Sequence, residues 1–303
     1  MKIVDITKSD TGGQSYKMAK AIRDYTGEMD YSFIRELNYL NYPSDFLYEF
    51  RDQAFVNKYF SEADIIHCHN RYRYANGWAA INPDAKWVIH QHGRVPEFEK
   101  VQDADKVRKA TRIVSTMNLI SYVGNDYRYW MPAPMRTSEF DKIKERIRQE
   151  GIGNRKIRIC HSPTRRDYKN TELLIEIVNR IQEAELVLIE NTDYKTCLQI
   201  KASCDITFDQ VHLCYGNSGL EGMAFGQAVI VGLSDITRKH INDYIGYEPY
   251  MYSTLEDLEI NIRKLVQDPE LVKKYGAVGR KYIEDWHDDR KVALRMLEIY
   301  KGL

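Results

Sequence analysis

Short apolar runs alternate along this chain with longer segments of helical period, and the alternation halts once before starting again. Strands buried on both faces read as continuous apolar runs, and the helical crossovers between them cover those faces. Such a rhythm builds a parallel sheet between two layers of helix. Ile3–Ile6 is the first run, and Ser15–Tyr25 follows with Met18, Ala19, Ile22 and Tyr25 on one helical stripe. Ala63–Cys68, Lys86–Ile89, Arg112–Thr116 and Ile120–Val123 continue the strand series. Met131-Pro132-Ala133-Pro134-Met135 then breaks regular structure, and a charged helix from about Ser138 to Glu150 is expected to stop at Gly151 and Gly153. The rhythm resumes with strands at Lys156–Cys160, Leu186–Glu190, Asp205–Phe208 and Ala228–Val231, and helices at Glu172–Glu183 and Gly219–Phe225. The expected class is α/β, as two doubly wound units joined at a proline-marked linker near residue 135.

Composition removes other classes. Hydrophobic residues make up 43% of the 303 positions, and 44 basic residues balance 44 acidic ones, so the bulk of the chain is not disordered. That balance leaves no cationic surplus of the kind that nucleic acid binding requires. Cys68, Cys160, Cys197, Cys204 and Cys214 are odd in number and never spaced C-x-x-C, which argues against a disulfide framework or a zinc knuckle and for a reducing cytoplasm. No apolar run reaches the length of a membrane-spanning helix, and Met1–Ile6 reads as a strand rather than a secretory leader. A soluble cytoplasmic protein without stable membrane insertion is expected.

Parallel sheets bind ligands beyond the carboxyl ends of their strands, so the residues there carry the functional reading. After the first strand comes Asp10-Thr11-Gly12-Gly13-Gln14-Ser15, a glycine turn opening a helix. Gly12 and Gly13 can bring backbone close to a phosphate or sugar, but they lack the G-x-G-x-x-G spacing of a dehydrogenase; an ordinary tight turn is the competing reading. His67-Cys68-His69 and His90-Gln91-His92-Gly93 end two further strands, and a spacing of two sets each pair on one face. A metal would need further carboxylate or histidine ligands from other strand ends, and Asp64 reads as lying inside its strand. A hydrogen-bonded core position is the commoner fate of such histidines, and no metal ligand is assigned.

In the second unit, Ser162-Pro163-Thr164-Arg165-Arg166-Asp167-Tyr168-Lys169-Asn170 delivers three cations, Arg165, Arg166 and Lys169, before a helix begins. Arginine forks and a lysine point charge suit a diphosphate, and a solvated basic loop is the alternative. Further on, the small polar loop Gly216-Asn217-Ser218-Gly219 feeds a short helix with Leu220 and Glu221 in its first turn. A carboxylate there ordinarily complements the helix dipole; in a nucleotide site it can accept both ribose hydroxyls.

From Gly219 through Glu221 and Met223-Ala224-Phe225-Gly226-Gln227-Ala228-Val229-Ile230, the sequence resembles the GT-B-fold retaining glycosyltransferases with a Glu-x7-Glu motif. The resemblance extends to Gly12-Gly13, Ala63–His69, Val88–Gly93 and Tyr282–Trp286 followed by a helix to Tyr300. It implies a GT-B-like pair of Rossmann-like domains facing a cleft. Residues 1–135 would form the acceptor domain, completed by a C-terminal helix over 286–303, and 136–285 the nucleotide-sugar domain. It implies transfer of a sugar from a nucleotide diphosphate donor to an acceptor hydroxyl with retention, without cofactor or essential metal. His92 would face the donor sugar, Arg165 and Lys169 would hold the diphosphate, and Arg166 is an alternative to Arg165 because the spacing is one residue short. Two positions depart from the family: Leu213 stands where the first glutamate belongs, and Ala228 replaces proline. The first keeps open a catalytically silent nucleotide-sugar-binding protein; a GT-B-fold epimerase or a phosphorylase-like enzyme is the other alternative. For the acceptor, Asn70-Arg71-Tyr72-Arg73-Tyr74-Ala75-Asn76-Gly77-Trp78 interleaves cations with aromatics. Rings stack on sugar faces while Arg71 and Arg73 meet an anionic group; inward packing of the rings is the alternative, and a nucleic acid acceptor is disfavoured.

Overall fold

The computed structural model describes residues 1–8, 12–34, 40–47, 53–70, 81–92, 109–149, 155–212 and 214–303. Two compact units emerge, Met1–Pro134 with Asp289–Leu303, and Met135–Asp288.

In the first unit, β1 (Lys2–Thr7), β2 (Met29–Ile34), β3 (Phe46–Leu47), β4 (Ile65–His69), β5 (Lys86–Gln91) and β6 (Thr111–Val114) form a six-stranded sheet ordered β3-β2-β1-β4-β5-β6. Every pairing is parallel. Strand alternation splits the side chains cleanly. Val4, Ile6, Ile66, Cys68, Trp87 and Ile89 pack with Val56 and Phe60 of α2 (Gln53–Ser61). Ile3, Ile65 and Val88 pack on the opposite face with Met18, Ala21 and Ile22 of α1 (Gln14–Thr26).

The second unit opens with α3 (Thr137–Gln149). Its sheet contains β7 (Ile157–His161), β8 (Ala184–Leu188), β9 (Ile206–Val211), β10 (Ala228–Gly232) and β11 (Met251–Tyr252), ordered β11-β10-β9-β7-β8 and again parallel. Connecting and covering helices are α4 (Thr171–Asn179), α5 (Tyr194–Ala202), α6 (Asn217–Ala224), α7 (Asp235–Ile245), α8 (Leu258–Gln267) and α9 (Pro269–Tyr282). A π-helical turn at Ile283–His287 then leads to α10 (Asp289–Lys301), whose Val292, Ala293, Met296 and Tyr300 are buried in the first unit beside Ile3 and Ile22.

Both orders are those of doubly wound sheets, 3-2-1-4-5-6 in the first and, counted from β7, 2-1-3-4-5 in the second. Each reverses winding at one place: between β1 and β4, and between β7 and β9. A crevice at such a reversal is where ligands bind.

Four local readings change. Met117–Val123 is a 3-10 helix, where the sequence suggested a strand at Ile120–Val123; Gly124 and Asn125 close it at φ 67 and φ 59. The first helix of the second unit's sheet stops at Asn179 instead of running to Glu183, with Arg180 as its cap. Asp64 precedes β4, accepting the Lys2 N–H at 2.8 Å. Tyr25 stays 37% exposed and donates to Asp289 at the start of α10.

Candidate functional site

The second unit's reversal point gathers polar groups that neither strand could bury alone. β7 ends at His161 and continues into Ser162, while β9 beside it carries Asp209 with 1% exposure. Lys169 places Nζ 2.6 Å from Asp209 Oδ1, and Asp209 Oδ2 accepts the Gly216 N–H. Burial alone would raise the Asp209 carboxyl; the Lys169 ammonium and the Gly216 N–H together hold it below the usual carboxylate range.

Gly216 is followed by α6, which has no side-chain cap on its first turn. The opening N–H groups of a helix point outward and favour anions. Close approach explains the glycines. A Cβ on Gly216 would stand 3.3 Å from Lys169 Nζ, one on Gly219 3.0 Å from Asp209 Oδ2, and one on Gly222 2.5 Å from Thr207 Oγ1. The helix therefore lies directly on β9 with its first turn against the Lys169–Asp209 pair.

Glu221 sits in the second turn of α6, one turn later than the sequence suggested, and is 3% exposed. Its Oε2 accepts from Lys201 Nζ at 2.6 Å, and Lys201 is itself 1% exposed. Burial would lower the Lys201 ammonium; Glu221 beside it raises it above the ordinary lysine range, so the ammonium stays charged. Lys201 also reaches Ser218 Oγ at 3.0 Å, and Ser218 Oγ lies 2.8 Å from Ser162 Oγ. Gln227 fixes the end of α5 by donating to the Lys201 and Cys204 carbonyls. Glu221 Oε1 is buried without a hydrogen-bond partner among the described residues.

The expected residues thus divide. Lys169, Ser218, Gly219 and Glu221 come together through Asp209, Ser162 and Lys201. Asn217 is half-buried at the first position of α6. Leu220 is buried and gives its N–H to the Gly216 carbonyl, so side chain and amide both serve the helix. Arg165 pairs with the exposed Asp167, and Arg166 forks onto Glu190 at 2.8 Å through two nitrogens while also meeting Glu172 at 2.8 Å. Exposed pairs of this kind are worth ~0–1 kcal/mol, so either guanidinium is cheaply released. Arg165, with one carboxylate against two, is the freer.

In the first unit, Gly13 caps α1 at φ 64, and a Cβ there would meet Tyr42 Cδ1 at 2.6 Å, so the position demands glycine twice over. The Gly12 carbonyl accepts from Lys17 Nζ at 3.3 Å. His92, just beyond β5, is half-buried; its Nε2 lies 2.6 Å from His69 Nδ1 and its N–H donates to Asn70 Oδ1. Arg71, Arg73 and Leu213 lie outside the described residues. Lys201 and Asp209 escaped the sequence reading. The available signals were Lys201's place on the helical stripe between Leu198 and Ala202, and Asp209's place inside an otherwise buried strand.

No protein-family model matches the chain, and no curated protein matches it at the level of sequence. Solved structures do. HepE of Anabaena in complex with UDP-glucose superimposes with a TM-score of 0.73 over 100% of both chains, at 13% identity. The fold is GT-B. Sucrose-phosphate synthase from Thermosynechococcus elongatus gives a TM-score of 0.67 at 14% identity, covering 99% of this chain and 98% of that one. A putative UDP-N-acetylglucosamine 2-epimerase from Listeria monocytogenes gives 0.60 at 14% identity, covering 97% and 94%. The GT-B fold carries several chemistries, and at these identities the likeness establishes architecture alone.

Proposed function

We propose that the chain is a glycosyltransferase that takes a sugar from a nucleoside diphosphate donor and transfers it, with retention, to an acceptor hydroxyl. The observation that carries this reading is the buried Glu221, paired with Lys201 and set on a helix whose glycine-rich start abuts Lys169. Glu221 Oε1 retains acceptor capacity for ribose hydroxyls. That oxygen is covered, so donor binding has to uncover it, and Lys201 holds the other oxygen meanwhile. Lys169, the start of α6 and a released Arg165 supply counter-charge to the leaving diphosphate, the kind of fixed electrostatic stabilisation that serves in place of a metal. His92 acts in turnover rather than in nucleotide binding. The segment bearing Arg71 and Arg73 receives an acceptor with an anionic group.

The likeness to the Listeria epimerase supports a second reading, epimerisation of the nucleotide sugar, and product analysis separates the two. Calorimetry with UDP and UDP-glucose tests the shared part. Arg165→Ala, Lys169→Ala and Glu221→Gln should each weaken binding by about 1.5–3 kcal/mol, the range for hydrogen bonds to charged groups. Unchanged affinity in all three removes the assignment. His92→Ala should lower turnover while leaving UDP affinity close to the parent value.

A further inference from the structure

Alternation along the first sheet puts an uncommon set of side chains on one face. Toward their carboxyl ends the central strands change from apolar to polar on the face that α1 and α10 cover: Ile3 gives way to Asp5 on β1, Ile65 to His67 and His69 on β4, and Val88 to His90 on β5. Asp5 lies opposite His67 and His69 opposite His90 in the strand registers. Asp5, His67 and His90 have no exposure, and His69 has 3%. One ring nitrogen from each of His67, His69 and His90 falls within a sphere where all three lie within 4.8 Å of one another.

The hydrogen bonds around the set leave lone pairs inward. Asp5 Oδ1 accepts from His69 Nε2, so the remaining lone pair of His69 is on Nδ1. His67 Nδ1 is 2.6 Å from the Tyr300 hydroxyl of α10, which leaves His67 Nε2 buried without a hydrogen-bond partner among the described residues. Both ring nitrogens of His90 are likewise buried without a well-formed hydrogen bond. A core of hydrogen-bonded histidines satisfies its ring nitrogens; this one leaves His67 Nε2 and a ring nitrogen of His90 unsatisfied, and a cation would take up both. The carboxylate missing from the sequence reading is supplied by Asp5, on a strand remote in sequence.

We infer that His67, His69 and His90 form a binding site for a divalent transition-metal ion of the zinc class. Three imidazoles suit zinc, copper, nickel or cobalt and offer little to magnesium or calcium. Tetrahedral ligation places nitrogens roughly 3.3 Å apart, so the three rings close in by rotating about their side-chain bonds. Asp5 orients His69 from behind, as a carboxylate does for a metal-bound histidine, and Tyr300 does the same for His67. His92 shares a proton with His69 Nδ1 and is the half-buried member of the group, so it marks the way in and yields its place on His69 to the ion. The ion fastens β4 to β5, next to the first sheet's reversal point between β1 and β4. The inference does not rest on the glycosyltransferase reading, since none of the three ligands belongs to the proposed nucleotide site.

The test uses the untagged full chain, loaded with zinc, dialysed and measured by elemental analysis and thermal melting. Stoichiometric zinc, a melting temperature that falls on chelation, and an X-ray absorption spectrum showing imidazole scatterers are expected. His67→Gln and His90→Gln should lose the ion, and Asp5→Asn should bind it 10- to 100-fold more weakly. A circular dichroism spectrum and a cooperative melt matching those of the metal-free parent show that the variants remain folded. If the glutamine variants are insoluble, the cobalt-loaded parent answers alone through its visible spectrum, which shows tetrahedral nitrogen ligation. Substoichiometric zinc that excess metal does not raise, zinc retained by both glutamine variants, or a spectrum without imidazole overturns the inference.

Discussion

Replacing Lys201 by methionine keeps the length of the side chain and removes its charge. In the parent, Nζ is 2.6 Å from Glu221 Oε2, with the two side chains 1% and 4% exposed. Removing one member of a buried pair strands the other charge, at a cost of about 3–5 kcal/mol. Ser218 Oγ loses a donor as well. Hydrogen exchange reads the loss locally: amides of β9 and α6 should exchange about a hundredfold to a few thousandfold faster, with peptides of the first unit unchanged. Combining Lys201→Met with Glu221→Leu removes both charges, and protection should return to within about 1 kcal/mol of the parent, since apolar replacement of a buried pair is often neutral. UDP affinity should stay low in the double variant, because its proposed ribose acceptor is gone. A single variant no less protected than the double one would show that Glu221 does not depend on Lys201, and the account of this site would fall.

Acid should weaken the second unit through His161, whose Nδ1 donates to the Phe208 carbonyl and whose Nε2 accepts from Thr171. Burial, only partly offset by the Phe208 bond, lowers its pKa to about 4. Since the unfolded chain protonates this ring near 6.5, stability is complete above that pH and drains away down to about 4, by about 3 kcal/mol in all. Denaturation of His161→Gln between pH 7 and 4 should show a loss smaller by that amount; parallel curves for parent and variant would refute it. Gly222→Ala sets a methyl 2.5 Å from Thr207 Oγ1 and 2.7 Å from its Cβ, and should cost about 1–3 kcal/mol in urea melts through overpacking. Urea melts of Gly222→Ala that match the parent would refute this crowding.

Strands buried on both faces were legible because their apolar runs are unbroken, as in Ala228–Gly232. β2 was not, because Met29–Ile34 buries Asp30 and Ser32 between its apolar residues and so imitates a surface segment. Ile120–Val123 misled for the opposite reason: its run is apolar, but Gly124 and Asn125 in left-handed conformations terminate a helical turn. At the site, the glycines and Glu221 announced themselves by local spacing. Lys201 and Asp209 did not, because a lone lysine in a helix and a lone aspartate in a strand acquire meaning only when α5 and β9 are brought to the same end of the sheet. Asp5 likewise became a histidine partner only once β1 and β4 were paired.

The placement of α10 has a consequence for biosynthesis. Residues 1–134 leave the ribosome before 289–303, yet Met18, Ile22 and Ile3 wait for Val292, Ala293, Met296 and Tyr300 to cover them. All of Met135–Asp288 is made in between, and its sheet needs nothing from α10. Translation order and folding order are therefore reversed: the later unit can finish first, while the earlier one holds an uncovered apolar face for the time taken to add more than 150 residues, about ten to thirty seconds at ordinary elongation rates.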